Sequence, residues 1–247
     1  MRACGLAGSL RKGSYNRALL RAAITVAPSG FDIEVFERLG EIPLYNADVE
    51  AAGDPEPVAA LKAAIGAADA LLIVTPEYNY GVPGVLKNAI DWASRPPSSS
   101  VLDGKPIALM GATPGRTGTA RAQLALRQSF VFTRSAVLPG PEVLVAEAHE
   151  KFAPDGTLRD EATREHVREL AAELRQEPDQ VLVEPGMVAL DDQFGRRRQA
   201  RRVWRFAKTV PISSTATPTV TAESATLKTG QRGTWMKSMT EPLSARS

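Results

Sequence analysis

The sequence predicts an α/β protein built on one doubly wound parallel sheet of five strands, and three observations carry that prediction. Strand and helix signals alternate along the first ~180 residues, the pattern of a parallel sheet covered by helices on both faces. Ala70 to Val74 is an unbroken apolar run, as a central strand requires when both of its faces are covered. The turns that follow the strand segments are rich in glycine and hydroxyl residues, beginning with Gly8-Ser9-Leu10, and such turns connect strands to helices at the carboxyl edge of a sheet.

Each element has its own signal. Cys4 to Ala7 is short, apolar and followed by a Gly/Ser-rich loop, which reads as the first strand. Ser14 to Ala27 sets Ala18, Leu19, Ala22, Ala23 and Val26 at helical spacing, with Ser14 available as a cap. Phe31 to Phe36 alternates apolar and polar residues, as an edge strand covered on one face does. Asp54 and Pro55 open a helix over Pro57 to Gly66, and the strand Ala70 to Val74 follows. After the loop Thr75 to Gly84 a helix runs from Val85 to Ser94. Pro106 to Met110 reads as a fourth strand, Thr119 to Phe132 as its helix and Ala136 to Val145 as a fifth strand region. His166 to Arg175, after the charged stretch Asp160 to Glu165, closes the domain. Five strands with intervening helices fit the flavodoxin-like layout, strand order 2-1-3-4-5, better than the six-stranded dinucleotide fold.

Composition narrows the function classes. No apolar run reaches the ~18 residues of a membrane helix, and the start Met1 to Leu6 is too short for a signal peptide. No membrane partner and a cytoplasmic location are therefore expected. The single cysteine, Cys4, excludes an internal disulfide framework and reads as a small buried hydrophobe. With only His149 and His166 and no paired cysteines, no metal site is expected. Residues 185–247 hold eleven Lys or Arg against four Asp or Glu, a net +7, so residues 1–184 carry −5 and the basic character belongs to the tail. From Gly186 onward there is no apolar period; Arg196 to Arg198, Arg201 and Arg202 are followed by a Ser/Thr-rich stretch. Such a segment buries too little apolar surface to offset its ordering entropy. The expected organisation is a domain over 1–184 and a disordered basic tail over 185–247, whose cluster Arg196 to Arg205 is also of the kind that neutralises nucleic-acid phosphates.

Three loops carry the chemistry. Gly8-Ser9-Leu10-Arg11-Lys12-Gly13-Ser14-Tyr15-Asn16 offers hydroxyls, backbone amides, a helix N-terminus and the Arg11 fork, which together suit a phosphate dianion. It has neither the nucleoside triphosphate loop order nor the dinucleotide fingerprint. An ordinary polar strand-to-helix turn is the alternative. Thr75-Pro76-Glu77-Tyr78-Asn79-Tyr80-Gly81-Val82-Pro83-Gly84 crowds prolines, tyrosines and glycines together, stiffening the backbone while leaving room for a flat ring. Tyr80 suits either a ring face or a subunit contact. Gly111 to Gly118, with Thr113, is small and hydroxyl-rich and could close over the other side of the ring.

The motifs Gly8-Ser9-Leu10-Arg11 with Ser14 and Asn16, and Thr75 to Tyr80 running through Pro83-Gly84 to Leu86-Lys87-Asn88-Ala89-Ile90-Asp91-Trp92, resemble the signatures of NADPH-dependent FMN reductases, most of all the branch of bacterial quinone, chromate and azo-dye reductases. The resemblance spans about residues 1–180. It implies an FMN cofactor with NADPH or NADH as donor, and a small-molecule acceptor reduced in ping-pong order through flavin N5. It also implies that Ser9, Arg11, Ser14 and Asn16 hold the FMN phosphate, that Pro76, Glu77, Tyr78, Asn79, Tyr80 and Gly81 line the ring, and that Thr113 meets it from the opposite loop. No residue is expected to serve as a catalytic acid or base. The resemblance further implies a homodimer or homotetramer, with the helix bearing Asp91 and Trp92 as a dimer surface, unless Trp92 is core. Arg121 and Glu142 would lie between dimers, unless they are solvated surface charges. Two features depart from the family: Pro114 and Arg116 in the last loop, and the basic tail, which an extension or a shifted reading frame would equally explain. A flavodoxin-type electron carrier is the rival function, although Arg11 and a net charge of only −5 differ from a carrier's hydroxyl-only phosphate loop and strongly acidic face.

Overall fold

The computed structural model describes residues 1–176. The tail expected over 185–247 lies outside the described residues. Strands β1 (Arg2–Ala7), β2 (Asp32–Val35), β3 (Ala70–Val74), β4 (Pro106–Ala112), β5 (Ala136–Val137) and β6 (Val143–Val145) form one parallel sheet. Its order is β2-β1-β3-β4-β5, with β6 also paired to β4. The flavodoxin-like order expected from the sequence is the order found.

The fifth strand position is split. β5 pairs with Pro106 and Ile107 at the start of β4, and β6 pairs with Met110 to Ala112 at its end. Pro139 and Pro141 lie between the two pieces and have no N–H to donate to the ladder, so the strand expected over Ala136 to Val145 cannot run unbroken.

Helices α1 (Tyr15–Val26) and α7 (Glu161–Arg175) pack together on one face; α3 (Glu56–Ala67), α4 (Gly84–Ala93) and α5 (Ala120–Val131) cover the other. Successive strand residues serve opposite cores: Leu72, Val74, Ala108 and Met110 join α1 and α7, while Leu71, Ile73, Ile107 and Leu109 join α3, α4 and α5. This alternation explains why the central strands read as continuous apolar runs. Cys4 belongs to the second core; burial, reinforced by the nearby Glu34 charge, pushes its thiol up to about 12.

Helix α7 starts five residues before the helix expected from His166, because the Asp160 side chain accepts the Thr163 N–H at 2.9 Å and caps it. The charged stretch is its first turns, with Thr163 and Val167 facing inward. Two short helices, α2 (Ala47–Ala52) and α6 (Ala148–Lys151), have no apolar period for a sequence reading to detect.

The chain leaves β1 toward β2 on one side and reaches β3 on the other, so the strand order reverses between β1 and β3. Beyond the carboxyl ends of these strands a crevice opens. The Gly8 N–H donates to Val74 O at 2.8 Å and Thr75 N–H to Met110 O at 2.9 Å, which brings the first two expected loops to that crevice.

Candidate functional site

The first loop is held open as a cradle. Ser14 caps α1, its Oγ accepting the N–H groups of Asn16 and Arg17 at 3.2 and 3.5 Å. The backbone N–H groups of residues 9–13 meet no acceptor among the described residues, and Ser9 is only 4% exposed. The Arg11 side chain makes no hydrogen bond or ion pair with any described residue; its guanidinium stands 5.8 Å over the Tyr15 ring. Unused amides, a helix N-terminus and an unpaired guanidinium together form a receptor that a phosphate dianion fits.

The second loop is a strained turn under a clamp. Tyr78 and Gly81 exchange both backbone hydrogen bonds, at 3.1 and 2.9 Å, around Asn79 at φ 49° and Tyr80 at φ 66°. Two left-handed residues make this the primed turn that glycine usually fills, and a tyrosine there costs about 1 kcal/mol. Two partners hold it. The Arg121 guanidinium lies 3.6 Å from the Tyr80 ring centroid. The Glu77 carboxylate, 7% exposed, accepts Arg121 Nε at 2.6 Å and the backbone N–H groups of Arg121 and Ala122 at 3.0 and 3.2 Å. Glu77 thereby caps α5, whose own N-terminal residue Thr119 makes no side-chain cap. Burial opposes its ionisation, but the Arg121 hydrogen bond and the two N–H donors prevail, and its carboxyl is held below the usual range. Tyr78 Oη lies 3.3 Å from Ser9 Oγ and joins this turn to the first loop.

The third loop is drawn down onto the other two. Gly111 is obligatory, because a Cβ there would collide with Thr119 Oγ1 and the Thr75 carbonyl oxygen. Thr113 donates its N–H to Val145 O at 2.9 Å, and its Oγ1 accepts the Gly115 N–H at 3.2 Å. Asn16, buried to 3%, turns away from the cradle: its Nδ2 donates to Ala112 O at 2.8 Å and its Oδ1 accepts the Ala112 N–H at 2.9 Å. It ties the first loop to the third.

The structure therefore gathers Ser9, Arg11 and Ser14 around the cradle and Pro76 to Gly81 beside it, with Thr113 on the adjoining loop. The Asn16 amide and the Glu77 carboxylate are committed to protein partners, where the sequence had placed them on phosphate and ring. Arg121, expected as a surface charge or a contact between dimers, is the clamp on Glu77; Glu142 is exposed. Trp92 is core at 0% exposure. Its Nε1 and Asn88 Nδ2 both donate to Pro43 O, at 2.8 and 2.9 Å, which fixes the loop before α2. Sequence reasoning missed the pairing of Arg121 with Glu77 because 44 residues separate them and no local pattern links them.

A sequence profile for NADPH-dependent FMN reductases matches residues 1–150. The chain belongs to this family. The reductase is 52% identical over 165 residues to an NAD(P)H-dependent FMN reductase of Pseudomonas aeruginosa, covering 67% of this chain and 88% of that protein. It is 43% identical over 164 residues to a quinone reductase of Escherichia coli, covering 66% and 87%. Among solved structures it resembles FerB, a flavoenzyme NAD(P)H:(acceptor) oxidoreductase from Paracoccus denitrificans, at 35% identity and a TM-score of 0.65, covering 71% of this chain and 95% of that one. The reductase is thus an oxidoreductase with FMN as cofactor and NAD(P)H as donor, and the electron-carrier alternative gives way to it.

Proposed function

We propose that the reductase passes electrons from NAD(P)H to a small oxidised acceptor of the quinone, azo-dye, chromate or free-flavin kind. When bound, FMN supplies the redox chemistry, taking a hydride at N5 and delivering electrons to the acceptor. The single observation that carries the placement is the row of unused amides beside unpaired Arg11. Ser9, Arg11 and Ser14 hold the phosphate there, and Asn16 keeps the cradle in register with Ala112. Pro76 stiffens, and the backbone pair of Gly81 with Tyr78 closes, the turn whose backbone, with Tyr78, Asn79 and Tyr80, borders the ring; Glu77 acts through its clamp, and Thr113 meets the ring from the third loop.

Tyr78 and Tyr80 are 51% and 71% exposed, so a flat acceptor reaches the ring from solvent. The similarity to a quinone reductase favours quinones among the acceptors. The chain's own residues bind, orient and shield; none is assigned as acid or base. We place the reductase domain at 1–184 and a separate basic tail at 185–247, and expect a homodimer or homotetramer. No helix among the described residues is long and apolar enough to cross a membrane.

Arg11→Ala tests the cradle. Removing one charge-assisted phosphate contact of about 1.5–3 kcal/mol raises the FMN dissociation constant by about 10–100-fold and leaves the thermal midpoint of the FMN-free protein unchanged. A variant that retains FMN as tightly as the wild type sinks the assignment.

A further inference from the structure

Two clefts, of about 570 and 340 Å³, run along the outer side of α1 and meet at Arg21 and the Asp155–Gly156 turn. The larger shares Lys12, Gly13, Ser14 and Tyr15 with the loop assigned to the FMN phosphate. Its size suits a nucleoside-sized ligand. Aromatic rings line it: Tyr15 and Phe152 stand with centroids 5.6 Å apart and a tilt of 42°.

Three cations stand on its rim. Lys12, Arg21 and Arg159 make no hydrogen bond or ion pair through their side chains with any described residue. Elsewhere on the described surface Arg2, Arg17, Arg38, Lys62, Lys87 and Arg134 each pair with a carboxylate, whereas Arg11 and Arg116, like the cleft cations, form no ion pair with a described residue. The acidic groups of the cleft are engaged. Asp155 Oδ1 accepts the Thr157 N–H at 2.8 Å while its charge faces Arg159, and Glu150 lies 3.7 Å from His149 Nε2. Gly156, at φ 86°, passes so close beneath Arg21 that a Cβ would stand 2.9 Å from its Nη2. The turn thus backs the Arg21 guanidinium without an ion pair to it, its Asp155 carboxylate facing Arg159 instead. Like charges gathered on one rim repel, and an incoming polyanion relieves the repulsion.

We infer that this cleft receives the 2′-phosphoadenosine end of NADPH, with Lys12, Arg21 and Arg159 facing the 2′-phosphate and Tyr15 flanking the purine. The inference rests on the flavin reading in one respect: Lys12 to Tyr15 stands between the two nucleotides, so the donor crosses that loop on its way to the ring. The cleft then sets the preference for NADPH over NADH, because only the former carries the phosphate that these cations recognise.

Steady-state kinetics of the FMN-loaded full chain provide the first arm of the test. Arg21→Ala and Arg159→Ala each raise the KM for NADPH about tenfold, leave the KM for NADH and the kcat within about twofold, and keep the flavin spectrum. Arg21→Lys recovers most of the loss. The second arm is calorimetric titration with 2′,5′-ADP, 5′-ADP and inorganic phosphate, which needs no flavin turnover. Binding of 2′,5′-ADP at least about tenfold tighter than the other two, and weakened in both variants, supports the assignment. Equal rises in KM for NADPH and NADH, loss of bound FMN from the variants, or phosphate binding as tight as 2′,5′-ADP each overturn it. A wild type that holds no FMN yet binds 2′,5′-ADP selectively defeats the flavin reading and leaves the cleft assignment standing.

Discussion

Replacing Arg121 with alanine removes the residue that holds the tyrosine turn closed. Breaking a buried ion pair by deleting one partner costs about 3–5 kcal/mol because the remaining charge is stranded. Here Arg121 is 38% exposed and Glu77 keeps two backbone N–H donors, which brings the loss to about 2 kcal/mol. The stacking of the guanidinium on exposed Tyr80 adds about 0.5–1 kcal/mol. For a domain of this size the total lowers the melting midpoint by about 5–10 °C. Calorimetry on FMN-free protein measures it without a contribution from cofactor binding. Arg121→Lys falls between, because an ammonium keeps the charge but neither the fork nor the planar stack. The loosened turn also weakens FMN binding in both variants, in the same order. An alanine variant melting within about 1 °C of wild type, or a lysine variant indistinguishable from it, refutes the clamp.

Asn16→Ala leaves the Ala112 N–H and C=O without their buried partners; the expected cost is about 2–4 kcal/mol, read as a lower denaturation midpoint in urea, together with weaker FMN retention. The pH dependence of the clamp has a definite sign. Glu77 has its folded pKa lowered, so its contribution is complete above the ordinary carboxylate pKa and is lost as pH falls through the lower folded value. The stability gap between wild type and Glu77→Gln therefore stays constant from neutral pH down to the ordinary carboxylate range and closes below it, in a series of melting curves. A gap that widens on acidification contradicts the assignment.

Much of this was legible before any coordinates, because it rests on local periodicity. The alternation of strand and helix signals and the apolar run Ala70 to Val74 sufficed for the sheet order, and Ser14 was recognisable as a cap from its position alone. The three loops were identifiable by composition. What stayed hidden is long-range. Asn16 looked like a phosphate ligand by its place in the motif, yet its partner lies 96 residues away on β4. Glu77 looked like part of a ring wall, but its carboxylate found the α5 N-terminus. Side chains of such motifs are shared between ligand and scaffold, and only the fold decides which. The split at Pro139 and Pro141 was visible as residues, but its consequence emerges only when β4 offers an edge to pair with.

The most direct measurement of the central claim is the visible spectrum of the purified full-length chain, before and after anaerobic addition of NADPH. The account predicts flavin absorbance, either as isolated or on adding FMN, that the nucleotide bleaches and a quinone restores. Protein that stays colourless when mixed with FMN, or flavin that the nucleotide fails to bleach, contradicts it.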